Sequence, residues 1–125
     1  ASTHRLSEHW QAGQMTRNLP WVVEMMPEPF IEMSEELAQE KGIGNGEKVV
    51  VESARGSVKM VAVVTKRFKP FQMNGKVVHE IGMPWHWGYT GLSTGDSANQ
   101  LTPHVGDANT MIPEYKAFLV NVRKA

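Results

Sequence analysis

Two β-branched runs constrain the fold more than any other feature of this chain: Lys48-Val49-Val50-Val51-Glu52-Ser53 and Val58-Lys59-Met60-Val61-Ala62-Val63-Val64-Thr65, separated only by Ala54-Arg55-Gly56-Ser57. Branching at Cβ favours the extended backbone. So short a connection joins only antiparallel neighbours, because a parallel pair needs a crossover of a dozen residues or more. The centre of the domain is therefore a β-hairpin, and the other elements must pack against it. Alternation points Val49, Val51, Val61 and Val63 inward, together with Ile31 and either Leu119 or its neighbour Val120.

The flanking elements are short. His4–Glu8 reads as a strand of mixed polarity. The aperiodic polar segment His9–Asn18 is a loop too rich in Trp, Met and hydrogen-bonding groups to be idle. Leu19–Met26 reads as one or two helical turns, with Asn18 as N-cap, Pro20 in the first turn and Pro27 and Pro29 as the stop; Trp21, Met25 and Met26 are expected to pack. Phe30–Met33 is a strand. Ser34 caps a small amphipathic helix, Glu35–Lys41, with acids in its first turn, Lys41 in its last and Gly42 after it. Asn74-Gly75 turns between two extended runs. From Gly82 to Pro113 the chain is irregular apart from one helical turn expected within Ser97–Pro103, and Ala117–Arg123 is the closing strand. With no alternation of strand and helix, the expectation is a mainly β domain with small helices, closed as a barrel rather than left as an open sheet.

At 125 residues the chain suits one domain, residues 1–125. Lys plus Arg number 13 and Asp plus Glu number 13, so no net field draws it to nucleic acid or to an anionic membrane. No apolar run approaches the ~20 residues of a spanning helix, so this chain is not expected to insert in a membrane, and no signal peptide is seen. Cysteine is absent, which removes thiolate nucleophiles, disulfides and cysteine-held metals from this chain. It begins at Ala1 without Met and is read as a domain of a longer polypeptide. Its compartment is left open between the cytoplasm and a periplasmic or membrane-associated complex.

The stretch Gly82-Met83-Pro84-Trp85-His86-Trp87-Gly88 places two indoles and an imidazole in three consecutive positions. A turn does not require indoles, and a half-buried strand would alternate. The sequence suits a surface that stacks on a flat polar ligand and hydrogen-bonds to it, or equally a loop whose Trp side chains fold back as a lid. Around it, Arg5, Arg17 and Lys116 offer charge to anions, Asn99 and Gln11 offer amides, and Trp10, Trp85, Trp87 and Tyr115 offer faces for stacking. A nucleotide-like ligand fits that inventory. Metal-ligand spacing is missing among the five His, and a Ser-His-Asp triad has no nucleophile-elbow motif to support it. Gly44-Asn45-Gly46 is no phosphate loop, since it lacks the Gly-Lys-Ser/Thr ending.

Four segments in order, His9-Trp10-Gln11-Ala12-Gly13-Gln14-Met15-Thr16-Arg17, Met83-Pro84-Trp85-His86-Trp87-Gly88, Ala98-Asn99-Gln100-Leu101-Thr102 and Pro113-Glu114-Tyr115-Lys116, resemble one family. They look like the C-terminal molybdopterin-dinucleotide-binding domain of molybdenum or tungsten oxidoreductases. The Trp-His-Trp-Gly form and the ending Asp107-Ala108-Asn109-Thr110-Met111-Ile112-Pro113-Glu114-Tyr115-Lys116 look most like formate dehydrogenase catalytic subunits. The resemblance implies a double-psi β-barrel closing over bis(molybdopterin guanine dinucleotide) that carries Mo or W and is shared with upstream domains. It implies cofactor contacts from Arg5, Leu6, Ser7, His9, Trp10, Gln11 and Thr16, and from Trp85, His86, Asn99, Tyr115 and Lys116. Ala12 departs from the family, whose members often carry Thr or Ser there. The family's metal-ligating Cys or selenocysteine, its catalytic His and its iron–sulfur cysteines have no counterpart here and would lie upstream. By itself the domain is expected to be inactive, with no catalytic residue and no metal ligand. Its parent would be an oxidoreductase converting formate to carbon dioxide, with electron-transfer subunits as further partners. The alternatives are the same domain from a nitrate reductase type of enzyme, or a β-barrel interaction module without cofactor.

Overall fold

A computed structural model describes all of residues 1–125. It is mainly β, with two short helices. Six strands form one mixed sheet in the order β1 (Ser2–His4), β7 (Ile81–Pro84), β2 (Phe30–Ser34), β4 (Ser57–Thr65), β3 (Lys48–Glu52), β8 (Asn121–Lys124). The expected hairpin is its centre, with Val51 opposite Val58 and Glu52 opposite Ser57. A separate ribbon, β5 (Phe71–Met73) and β6 (Lys76–Val78), turns at Asn74-Gly75. Both turn residues have positive φ, 52° and 74°, which is the type of turn that Asn-Gly supplies.

The register decides where the loops lie. β2 runs parallel to β4, and β1 parallel to β7, while β7 is antiparallel to β2. The C-terminal ends of β1 and β7 therefore share one end of the sheet with the N-terminal ends of β2, β4 and β8. Loop Arg5–Leu19, the segment after Pro84, the β3–β4 connection and the chain before Asn121 all leave from that end. The opposite end carries α2 (Glu35–Lys41), the turn before β3 and the β5–β6 ribbon.

No strand pairing joins the outer strands β1 and β8. The chain leading into β8 nevertheless lies along β1. Ala1 and Phe118 exchange two backbone hydrogen bonds, Ala1 N to Phe118 O at 2.7 Å and Phe118 N to Ala1 O at 3.2 Å. Thr3 Oγ1 donates to the Tyr115 carbonyl at 2.8 Å. Residues before β8 thus lie against β1, and residues 121–124 pair with β3.

One core lies inside this curved sheet: Ile31, Met33, Val49, Val51, Val58, Met60, Ala62, Ile81, Met83 and Val122, with Leu37 and Ala38 of α2 and Leu101 and Phe118 from loops. α2 obeys its signals. Ser34 Oγ accepts from Leu37 N at 3.1 Å, and Gly42 ends the helix in the left-handed region at φ 63°. α1 (Pro20–Met25) begins at Pro20 as expected, but Leu19 is its N-cap. Asn18 instead turns its side-chain amide back to the Gln14 carbonyl at 2.6 Å.

Several expectations are corrected. The strand expected over His4–Glu8 is β1, ending at His4; the closing strand starts at Asn121, not Ala117. Val49, Val51 and Ile31 are buried, but in β4 the inward set is Val58, Met60 and Ala62, while Val61 and Val63 are half-buried on the other face. With apolar residues at 60 to 64 on both faces, alternation could not tell one face from the other. Leu119 is 84% exposed, and Phe118 and Val122 supply the packing assigned to it. Trp21 and Met25 are each 64% exposed, and only Val22 of α1 is buried. No helix is long and apolar enough to cross a membrane.

Met60→Ala should lower the free energy of unfolding by about 2–5 kcal/mol, the cost of an unfilled core site. Leu119→Ala should stay within about ±0.5 kcal/mol. Urea titrations of the two variants check the inward set, and equal effects would contradict it.

Candidate functional site at the loop end of the sheet

The centre of the loop end is His86, 1% exposed. Its Nδ1 lies 2.5 Å from the Gln11 carbonyl, which can only accept, so Nδ1 carries the proton. Its Nε2 then holds a lone pair and accepts from the Leu6 backbone N–H at 2.7 Å. Burial pushes the ring's pKa below the ordinary value; the Gln11 carbonyl opposes this, and the charges of His9, Arg5 and His4 add to it. The ring is neutral at pH 7 and has no nitrogen free for a ligand.

His9 makes a second such tie. Its Nε2 donates to the Met26 carbonyl at 2.9 Å, and its Nδ1 is 3.1 Å from the Thr16 hydroxyl. That hydroxyl also accepts from Trp10 N at 3.1 Å. The His9 ring stands edge-on to Trp87, with centroids 5.0 Å apart. Trp87 is buried, and its indole N–H donates to Ser93 Oγ at 2.9 Å, which in turn donates to the Pro27 carbonyl.

The sequence offers the charge of Arg17 to an anion, but in the structure its donors go to main-chain carbonyls. It is 2% exposed and meets no carboxylate. Nε donates to the His86 carbonyl at 2.9 Å, and Nη1 donates to the carbonyls of Ser93 at 2.9 Å and Thr90. Nη2 lies 3.5 Å from the Ala12 carbonyl. The guanidinium is a brace between the two loops, and its desolvation lowers its pKa from the ordinary value. Glycine makes room for it: a Cβ on Gly13 would stand 2.7 Å from Arg17 Nε, and one on Gly91 3.0 Å from Nη1. Both glycines also hold positive φ, 81° and 130°.

Three cations at this end stay exposed: Arg55, whose Nε donates to the Leu101 carbonyl at 2.8 Å, and the neighbouring pair Arg5 and Lys116. Neither Arg5 nor Lys116 pairs with a carboxylate. Arg5 stacks its guanidinium over Trp85, 4.3 Å from the ring centroid. Lys116 Nζ donates to the Thr3 carbonyl. Its pKa is lowered, first by desolvation and then by the charge of Arg5, so the two cations lie within each other's field. Trp85 packs against the core, and its indole N–H is buried without a partner.

The other expected residues divide. Leu6 enters by its backbone and Ser7 is exposed beside it. Trp10 is exposed, and Gln11 contributes its carbonyl from a left-handed backbone at φ 52°. Tyr115 accepts from Thr3 through its carbonyl, leaving its ring partly exposed. Asn99 sits at the same end, in the 3₁₀ turn Ala98–Gln100 beside β4, but no hydrogen bond ties it to the Arg5–Trp85–Lys116 group. Its side-chain amide has no partner within the chain, while its backbone N–H meets Ser97 Oγ at 3.3 Å. Sequence reasoning missed Ser93 and Thr3, which act through hydroxyls in positions with no periodic signal.

Arg17→Met should leave the buried carbonyls of residues 86 and 93 without donors. At about 1–3 kcal/mol for each unsatisfied group, the variant should lose several kcal/mol in chemical denaturation. A loss below about 0.5 kcal/mol would show that Arg17 is not a brace.

The family model described as Molydopterin dinucleotide binding domain matches residues 2–119. The chain is 58% identical over 125 residues to the formate dehydrogenase subunit alpha of Megalodesulfovibrio gigas. It is 54% identical over 124 residues to the formate dehydrogenase 2 subunit alpha (cytochrome c-553) of Nitratidesulfovibrio vulgaris, and 50% identical over 125 residues to the nitrate-inducible formate dehydrogenase major subunit of Escherichia coli. Each match takes in 99% of this chain but only 12% of the relative. Among solved structures, acetylene hydratase from Pelobacter acetylenicus shares the fold, with a TM-score of 0.76 at 17% identity over 98% of this chain and 18% of that one. The chain belongs to the molybdopterin dinucleotide binding domain family.

Proposed function

We propose that the loop end binds the anionic dinucleotide of bis(molybdopterin guanine dinucleotide), and that the chain is the domain that closes over this cofactor in a formate dehydrogenase catalytic subunit. The observation that carries the reading is the pair Arg5 and Lys116. They are two unpaired cations in each other's field, beside an indole with an unpartnered N–H. Like charges brought together repel, and an anion between them reverses the sign of that energy. A pyrophosphate suits a planar guanidinium and an ammonium better than a single carboxylate does. Supporting the fold assignment to a double-psi β-barrel are the two parallel pairs, β1 with β7 and β2 with β4, and the bonds between Ala1 and Phe118 across the open side of the sheet.

The residues fit the cofactor in kind. Arg5 and Lys116 would hold phosphate oxygens, with exposed Ser7 and the backbone of Leu6 to Ala12 close by. Trp85 and Tyr115 would flank flat portions of the ligand, and Asn99 would offer a free amide to a base or pterin edge. His86, His9 and Thr16 would hold the loop in shape without touching the ligand, since their polar atoms are already bonded. The bound Mo or W and its pterins supply the two-electron chemistry that takes formate to carbon dioxide. This chain binds and orients the group and shields it from water. Iron–sulfur clusters, the metal's protein ligand and docking to electron-transfer subunits fall to the rest of such a subunit. The reading of the parent as a formate dehydrogenase is supported by the names of the relatives, 50–58% identical over this domain.

In a full-length subunit carrying this domain, Lys116→Ala and Arg5→Ala should each lower the pterin and metal content of the purified protein. Charge-assisted hydrogen bonds contribute about 1.5–3 kcal/mol, which corresponds to a roughly ten- to hundred-fold weaker hold. Undiminished pterin and metal in both variants would remove the pair from the site.

A further inference from the structure

We infer that His86 is a positioning residue: its neutral ring, clamped between the backbone of Leu6 and Gln11, sets the shape of the loop that carries Arg5, and a second proton on the ring releases that loop. The inference rests on the cofactor-binding reading only in making this loop the ligand's seat; the clamp itself is a property of the chain.

Both ring nitrogens are consumed by main chain 75 and 80 residues away. The two bonds fix opposite ends of one turn of the loop, next to Arg5 at one side and at Gln11 on the other. Gln11 is held at φ 52°, where a non-glycine residue carries backbone strain, and the hydrogen bond to its carbonyl helps hold it there. The main chain of His86 is fixed as well, by the bond from Arg17 Nε to its carbonyl at 2.9 Å. A ring held so firmly transmits its own orientation to the loop.

Only the tautomer with the proton on Nδ1 makes both contacts. Protonating Nε2 would set an N–H against the Leu6 N–H, donor against donor, at a present separation of 2.7 Å. The charged and titratable groups around the ring are His9, with centroids 6.1 Å away, and Arg5, His4 and Arg17. None of them is anionic. Trp85 and Trp87 complete the surroundings without charge. No carboxylate faces the ring to reward an imidazolium. The folded-state pKa lies below the ordinary 6.5. Between that value and the folded pKa the unfolded chain binds more protons, so stability from this group is intact at neutral pH and is lost as pH falls below about 6.5 through the folded value.

The test is ¹⁵N NMR on the 125-residue chain, His86→Gln and His86→Leu, from pH 7.5 to pH 4.5. Sulfate, a dianion that does not titrate in this range, is the probe, and its binding is read at Arg5 Nε. In the wild type the ring should show the Nδ1–H tautomer at neutral pH. Exchange protection of the Leu6 amide should fall about ten-fold or more as His86 titrates, the loss of one buried hydrogen bond. Glutamine offers one acceptor and one donor without titrating, so His86→Gln should keep Leu6 protected across the range, while His86→Leu should lose it at every pH. Should the leucine variant not fold, the wild-type titration and His86→Gln decide the matter. Sulfate affinity of the wild type should fall relative to His86→Gln as the ring protonates. A relative rise would mean that the imidazolium acts by added charge rather than by loop shape, which overturns the proposal. So would a ring with its proton on Nε2, or Leu6 protection that ignores the His86 titration. Sulfate failing to shift Arg5 in either protein, with Leu6 protection still following His86, would overturn the anion-site reading and uphold the clamp.

Discussion

A guanidinium shut away from water has to be solvated by something, and in this domain the solvent is main chain. Arg17 turns its donors on the carbonyls of His86, Thr90 and Ser93. The main chain answers, since the N–H groups of Leu92 and Ser93 point back at the Arg17 carbonyl at 2.9 and 3.4 Å. A carboxylate partner would add little at such a site, because desolvating a second ion costs about as much as the pairing returns. The demand for several carbonyls at one point instead forces two loops, far apart in sequence, to curl around the same side chain. Gly13, Gly88 and Gly91 border it because any side chain there would crowd or contact the guanidinium.

From that point the remaining geometry follows by contact. Once its carbonyl is tied to Arg17, His86 sits where its ring meets Leu6 and Gln11, and Arg5, one residue before Leu6, lies over Trp85, one residue before His86. Lys116 arrives from the third direction through its bond to the Thr3 carbonyl. The inner cation spends its donors on several carbonyls; of the outer two, Lys116 has one, at Thr3, and Arg5 lies on the Trp85 ring. The electrostatics of the loop end are layered: a satisfied charge that organises, and partly satisfied charges left at the surface.

The sequence made the secondary elements legible where a local rule was strong. The β3–β4 hairpin, the Ser34 and Gly42 limits of α2, the Asn74-Gly75 turn and the 3₁₀ turn at Ala98–Gln100 all depend on neighbours a few residues apart. The inward face of β4 was not legible, because Val61, Ala62, Val63 and Val64 are apolar on both faces. Leu119 misled for the opposite reason: it is apolar but stands exposed where the chain passes from β1 to β3. In the site, the residue types were legible and their roles were not. Nothing local distinguishes Arg17, which is spent on carbonyls, from Arg5, which is unpaired. His86 read as a ligand-facing ring because its partners, Leu6 and Gln11, are main-chain atoms that leave no mark in a sequence.

The pairing of Ser2 with Gly82 also bears on how the molecule assembles. The β3–β4 hairpin closes a loop of a few residues, and β2 reaches β4 across some thirty. β1 waits for a partner eighty positions away, and the Ala1–Phe118 bonds span nearly the whole chain. Chain-closure entropy grows with such separations, and contacts of this kind raise the barrier to folding. A nucleus around β2, β3 and β4 would precede them. Arg5, Trp85 and Lys116 depend on the last closures, so the proposed anion seat is completed only at the end of the folding reaction. Partly folded chains would carry a formed core and no seat at all.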